Sequence, residues 1–332
     1  MSIPRRTLGK TGFSVSEIGF GAWAIGAEWG ETVPEAQAKE ALHAALDAGM
    51  NFIDTADIYG MGRSEKLIGQ VQRERSGQSE RIYVATKMGK APGWTDDYES
   101  VRLAALGSCE RLGVDALDLV QLHCIDLSLL QAGKVFEHLE KIKSEGIIRH
   151  YGASVETIGE GLFCIHNSGI VSLQVIFNIF RQRLIDELFP SAQALGIGII
   201  ARVPLASGVL TGKFQPGQAF DQRDHRHYNA NGERFNVGET FAGVQFDTAV
   251  ELAEEIRRLL ANESPPATLA QKAMRWILDF ETVTTVIPGA KSPTQARDNA
   301  GAAALPALSS EAHERLASFY RERIHAAVRG RY

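Results

Sequence analysis

Tyr59 stands five residues after Asp54 in the stretch Asn51-Phe-Ile-Asp-Thr-Ala-Asp-Ile-Tyr-Gly60. There a short apolar strand runs into two carboxylates and a phenol, then into a turn with Gly60 and Gly62 and a helix start at Ser64-Glu65. Two later segments have the same form. Ile82-Tyr-Val-Ala-Thr86 ends on Lys87, and Leu117-Asp-Leu-Val-Gln-Leu122 ends on His123. A phenol titrates near 10, so it needs a neighbouring cation to act as an acid at neutral pH. Lys87 can supply that cation and Asp54 can hold it charged, while His123 can hydrogen-bond and polarise a carbonyl or share the proton with Tyr59. Together they read as a general-acid site that protonates an oxygen as charge develops on it. The four residues contain no hydride or electrophile of their own, so a separate cofactor is implied. A metal is not expected: Asp224-His225-Arg226-His227 has poor ligand spacing.

Strand ends must deliver these side chains. Strand-like runs fall at about 17–20, 51–54, 82–86, 117–122, 147–152, 171–176, 197–202 and 283–287, after a small hairpin at 5–17. Between them, apolar residues recur at helical spacing in 34–49, 98–112 and 129–143, the last stopped by Gly146. Eight alternating strand–helix units predict a closed (β/α)8 barrel, whose active site lies at the C-terminal ends of the strands. A doubly wound sheet would carry a Gly-x-Gly-x-x-Gly turn after its first strand. Gly19-Phe-Gly-Ala-Trp-Ala-Ile-Gly26 lacks that spacing. The segment from Lys213 to about Gln245 has little periodicity, and a connection that long is expected to be functional or disordered.

The last two units offer an anion site. Strand eight passes through Pro288-Gly289 to Ser292-Pro293 at a helix start, behind Lys291. Strand seven is followed by the small-residue loop Pro204-Leu-Ala-Ser-Gly-Val-Leu-Thr-Gly-Lys213, whose backbone can approach a pyrophosphate. Both point to a phosphate-bearing cofactor.

Composition narrows the class. The 332 residues are 44% hydrophobic and 23% charged with net charge −5, an ordinary globular balance without the basic footprint of a nucleic-acid binder. No apolar run approaches the ~20 residues of a membrane span, and a secretory signal is not expected, since no apolar stretch follows the arginines of Met-Ser-Ile-Pro-Arg-Arg. Cys109, Cys124 and Cys164 are odd in number and widely spaced, which suits free thiols in a reducing, cytoplasmic setting.

Taken together, these motifs resemble the aldo-keto reductase family over almost the whole chain. The resemblance rests on Leu8-Gly-x-Thr-Gly12, Phe52 to Gly60 with Ser64-Glu65, Thr86-Lys87, Asp118 to His123, Gly146-Ile-Ile-Arg149 with Tyr151-Gly-Ala-Ser154, Pro204 to Lys213, and Ile287 to Asn299. It implies one domain over 1–332, an α/β chain folded as a (β/α)8 TIM barrel with a short N-terminal β-hairpin closing the barrel bottom. It also implies a tetrad of Asp54, Tyr59, Lys87 and His123, and NADP(H) passing hydride to and from a small carbonyl or alcohol substrate. Nicotinamide contacts carry over to Ser154 and Gln174, with Asp54 beside them, and rim contacts to Gly21 and Trp23. The pyrophosphate loop carries over to Leu205, Ser207, Leu210 and Lys213, and the adenosine end to Gly289, Lys291, Gln295 and Asn299. Lys291 and Arg297 favour a 2′-phosphate. Val155 stands where an asparagine is common, and Arg202 where an aromatic ring stacks on the nicotinamide. Trp23 and Trp94 are expected to line the substrate pocket, and Arg226 to reach toward the cofactor. Two further readings stay open: a cofactor-binding regulatory or interaction subunit, and a lyase using Lys87 as a Schiff-base nucleophile.

Overall fold

Aliphatic and β-branched runs, each stopped by a turn, become strands in the computed structural model, which describes residues 3–26, 32–78, 80–263 and 267–332. β1 (Arg5–Thr7) and β2 (Ser14–Ser16) form an antiparallel hairpin. The following strands are β3 (Phe20–Gly21), β4 (Phe52–Asp54), β5 (Tyr83–Met88), β6 (Leu117–His123), β7 (Ile148–Ser154), β8 (Ser172–Ile176), β9 (Gly198–Arg202) and β10 (Val283–Val286). They pair in parallel in sequence order. The first and last strands then meet: Val286 N–H donates to Glu17 O at 2.8 Å, Gly19 N–H to Val286 O at 2.8 Å, and Gly21 N–H to Pro288 O at 3.0 Å. Parallel bridges at Ile18–Val286 and Gly21–Gly289 lie on the same seam. The sheet is an eight-stranded parallel α/β barrel, as the alternating pattern predicts.

The period-two alternation of a strand sorts the interior into layers. Phe52, Ala85, Leu119, Ile200 and Ile287 share one buried cluster with Leu8, Phe13 and Val15 of the hairpin. Two residues further along their strands stand Asp54, Lys87, Gln121 and Arg202, and His123 lies two beyond Gln121. The barrel is therefore dry at the end the hairpin covers and polar at the other. Arg6 fastens the hairpin, donating to the carbonyls of Leu278 (2.7 Å), Phe280 (3.1 Å) and Val283 (2.6 Å) and to Glu17 (2.7 Å).

The outer helices follow the apolar spacing with one correction. The segment 34–49 yields Glu35–Asp47, and 98–112 yields Tyr98–Leu112, capped by Asp97 accepting from Ser100 N–H and by left-handed Gly113. The single helix expected at 129–143 is instead two, Leu127–Ala132 and Lys134–Ser144. Gly133 between them adopts φ +76, which ends one helix and starts the next at an angle.

The aperiodic segment 213–245 is ordered. Asn229, fully buried, accepts from the N–H groups of Arg234 (2.8 Å) and Phe235 (3.0 Å) and donates to Thr240 Oγ1 (3.0 Å). The chain's end binds it from outside: Arg329 donates to the carbonyls of Gly243 (2.8 Å) and Ala230 (3.0 Å) and to Asn231 Oδ1 (2.9 Å).

Candidate active site

The strand ends bring Asp54, Lys87 and His123 to one mouth, and the turn after β4 lays Tyr59 across it. The Lys87 ammonium, 1% exposed, donates to Asp54 Oδ2 at 2.6 Å, to Thr55 O at 2.9 Å and to the Tyr59 hydroxyl at 3.1 Å. The other Asp54 oxygen accepts from Gln174 Nε2 at 2.7 Å and Gln121 Nε2 at 3.3 Å. The His123 ring packs edge-on against the Tyr59 ring, centroids 5.8 Å apart.

Burial sets the protonation states. It raises the Tyr59 phenol above its ordinary pKa; Lys87 pulls the other way without reversing the shift, so Tyr59 keeps its proton. Burial alone would discharge Lys87, but Asp54 and Tyr59 outweigh it and hold the ammonium above its ordinary value. A protonated amine is not a nucleophile, so the geometry works against the Schiff-base reading. His123 is driven well below its ordinary pKa, first by burial and then by Lys87, Lys90 and Arg202. It is a neutral imidazole at pH 7, suited to hydrogen-bonding an oxygen rather than carrying a second proton for it.

Arg202, at the end of β9, is buried and held. Nη1 pairs with Glu239 of the 213–245 segment, and Nη2 donates to Val155 O at 3.1 Å and faces Cys124 Sγ at 3.7 Å. Its Nε–H has no acceptor among the described residues. Cys124, Glu156 and Glu239 bring ligand-type atoms together, but the guanidinium already engages Glu239 and Cys124, so this cluster serves as the arginine's surroundings.

The remaining expected residues form two groups. Near the tetrad, Ser154 pairs in register with Gln174 and His123, and Gln174 gives its amide N–H to Asp54, retaining its carbonyl oxygen. Gly21 packs on the backbone of Ile287 and Pro288. Trp23 meets His225 edge-on at 4.7 Å. Trp94 keeps its indole N–H buried, without an acceptor among the described residues. In the loop after β9, Ser207 sits at φ +55 and donates to Glu239 O at 3.0 Å. Leu205 is half-buried, the Leu210 side chain is fully buried, and Lys213 is exposed. Leu210 therefore has only its backbone to offer a ligand. Arg226 pairs with Asp224 and lies over the Phe220 ring at 4.5 Å, with its guanidinium reaching the outside of this loop at Gly208. In the loop after β10, Asn299 donates to Gly289 O at 3.2 Å and Gln295 accepts from Lys291 N–H at 2.7 Å. Around Gly289 a side chain would meet nothing closer than Gly21 O at 3.8 Å. Open space at Gly289 beside Lys291 and an unmet donor on Arg202 fit a long, anionic, polar ligand along this edge.

Strained backbone gathers at the same face. Cys124, Val203, Ala206 and Ser207 all take positive φ without being glycine, a conformation that persists only where the surroundings impose it. Sequence reasoning missed two members of the site. Gln121 was legible, since it lies two residues before His123 and so shares its face. Glu239 was not, because no periodicity marks its loop.

The aldo/keto reductase family model matches residues 17–321. The chain belongs to the aldo/keto reductase family. This aldo/keto reductase is 31% identical over 321 residues to aldo-keto reductase str7 of Strobilurus tenacellus, covering 94% of this chain and 90% of that one. Among solved structures it is similar to the holo form of aldo-keto reductase AKR11C1 from Bacillus halodurans, with TM-score 0.76, 26% identity and 98% of each chain covered. It also shares its fold with an aldo-keto reductase from Klebsiella pneumoniae solved in complex with NADPH, with TM-score 0.71, 24% identity, and 98% and 99% of the two chains covered.

Proposed function

We propose that this chain, acting as one barrel domain, reversibly reduces aldehydes or ketones to alcohols with NADP(H). The observation that carries the reading is the buried chain Asp54–Lys87–Tyr59 ending in a protonated phenol beside a neutral His123. NADP(H), when bound, supplies the hydride that the carbonyl carbon accepts. Tyr59 gives its O–H proton to the carbonyl oxygen, and the Lys87 ammonium stabilises the phenolate left behind until water reprotonates it. His123 donates a hydrogen bond to the same oxygen and fixes its position. Asp54 keeps Lys87 charged, and Gln121 and Gln174 keep Asp54 in place.

The cofactor assignment rests on this chain's own residues, since 24% identity to the NADPH complex carries the fold alone. Ser154, Gln174 and Arg202 border the nicotinamide end, and Ser207, the backbone of Leu210, Gly289, Lys291, Gln295 and Asn299 the phosphate and adenosine end. Lys291 and Arg297 have no ion pair among the described residues, which favours a 2′-phosphate and hence NADP over NAD. A cytoplasmic setting is supported by the free thiols Cys109, Cys124 and Cys164. Among the described residues no helix is long and apolar enough to cross a membrane.

The test is turnover of a carbonyl panel followed by the absorbance of reduced nicotinamide. Tyr59→Phe is expected to lower kcat by roughly 10²–10⁴ with NADPH affinity unchanged. An active Phe variant, or silence of the parent with both cofactors, would sink the reading.

A further inference from the structure

Resting on the reductase reading, we infer that the substrate carries a carboxylate, which Lys90 receives beside the reacting carbonyl. β5 ends at Met88, in register with Leu122 one residue before His123. The next residue, Gly89 at φ +120, lies against the Ile125 side chain and the His123 backbone N, where an added Cβ would stand 2.6 and 3.6 Å away. Lys90 therefore follows directly on a turn packed against the backbone of His123.

Three charges act on the His123 imidazole, and all are cations: Lys87, Lys90 and Arg202. Two have their counter-ion. Lys87 is paired with Asp54 and Arg202 with Glu239. Lys90, half-buried, makes neither hydrogen bond nor ion pair with any of the described residues. Two carboxylates near this mouth are engaged elsewhere, Glu239 on Arg202 and Glu156 with the Asn236 amide at 3.1 Å. A neutral imidazole that positions the carbonyl thus feels a positive charge that no described residue answers. A half-buried ammonium without a partner is stabilised by any anion brought to it. A neutral alkyl aldehyde leaves it unanswered, whereas an aldehyde or ketone with a carboxylate a few bonds from the carbonyl completes the set.

Paired probes of equal shape separate charge from size: 4-carboxybenzaldehyde against 4-formylbenzamide, and 4-oxobutanoate against 4-oxobutanamide. The carboxylate of each pair is expected to have kcat/KM higher by roughly 10- to 100-fold, mainly through KM, and to lose that advantage as salt is raised. Lys90→Met should lower kcat/KM for the carboxylates far more than for the amides, and Lys90→Arg should restore the preference. Equal rates within each pair, or a preference that survives Lys90→Met, overturns the subsite. Binding of benzoate against benzamide, read by quenching of tryptophan fluorescence, keeps the question separate from turnover. Tighter benzoate binding that Lys90→Met abolishes, in a protein that turns over neither pair, would sustain the subsite and remove the reductase reading. Equal binding of the two would overturn the subsite.

Discussion

Asp57, three residues beyond Asp54, is the residue whose ionisation most directly tests how dry this mouth is. Burial and then the Glu65 charge raise its carboxyl to about 6. An acid whose folded-state pKa lies above its unfolded value destabilises the fold as pH rises between the two. Below about pH 4 both states hold the proton and nothing is lost; above about pH 6 the full loss, roughly 3 kcal/mol, is present. Asp57→Asn removes the titration, so its stability relative to the parent should grow by about 2 kcal/mol between about pH 4.5 and about pH 8 in urea unfolding. A difference that does not change with pH would mean that Asp57 is solvated. At this scale the sequence was informative where chemistry depends on residue type at a strand end, as at Asp54, Lys87 and His123. It was silent on protonation, because the pKa of Tyr59 or His123 depends on burial and on charges from other strands. Lys87 was expected to bring the phenol's pKa down, yet burial outweighs it.

At the scale of elements, the hairpin and the first turns of the barrel depend on close approach. Gly9, at φ +49, places its Cα so near the bottoms of β8 and β9 that a Cβ would stand 2.1 Å from Val171 O and 2.7 Å from Gly198 N. Gly9→Ala must move backbone as well as adopt an unfavourable φ, so it should destabilise by about 2–4 kcal/mol. The midpoint of urea denaturation is the measure, and KM of the folded enzyme should not change, since the polar layer lies at the opposite end. An unshifted midpoint would show that the hairpin does not seal the barrel. Strand and helix positions were legible because each follows a local period. The split at Gly133 was not, since apolar spacing alone cannot tell a glycine tolerated within a helix from one that turns left-handed.

At the scale of the molecule, the tail and the 213–245 segment are one assembly over the mouth. Arg329 holds Ala230, Asn231 and Gly243, and the same segment sends Glu239 inward to Arg202. Arg329→Ala removes these bonds and should loosen the segment by about 1–3 kcal/mol. Limited proteolysis read by mass spectrometry should then show faster cleavage within 230–243 while the barrel strands stay protected; an unchanged cleavage pattern would mean that the tail does not hold the segment. The sequence by itself determined the eight-fold strand–helix alternation, the strand-end tetrad and the family resemblance, because period and residue type are local properties. Only the tertiary structure decided that Gln121 and Gln174 converge on Asp54, that Arg202 is held by Glu239, and that the turn carrying Lys90 packs against His123. Those relations join residues tens of positions apart, and their energies come from burial and mutual distance, which exist only once the barrel closes.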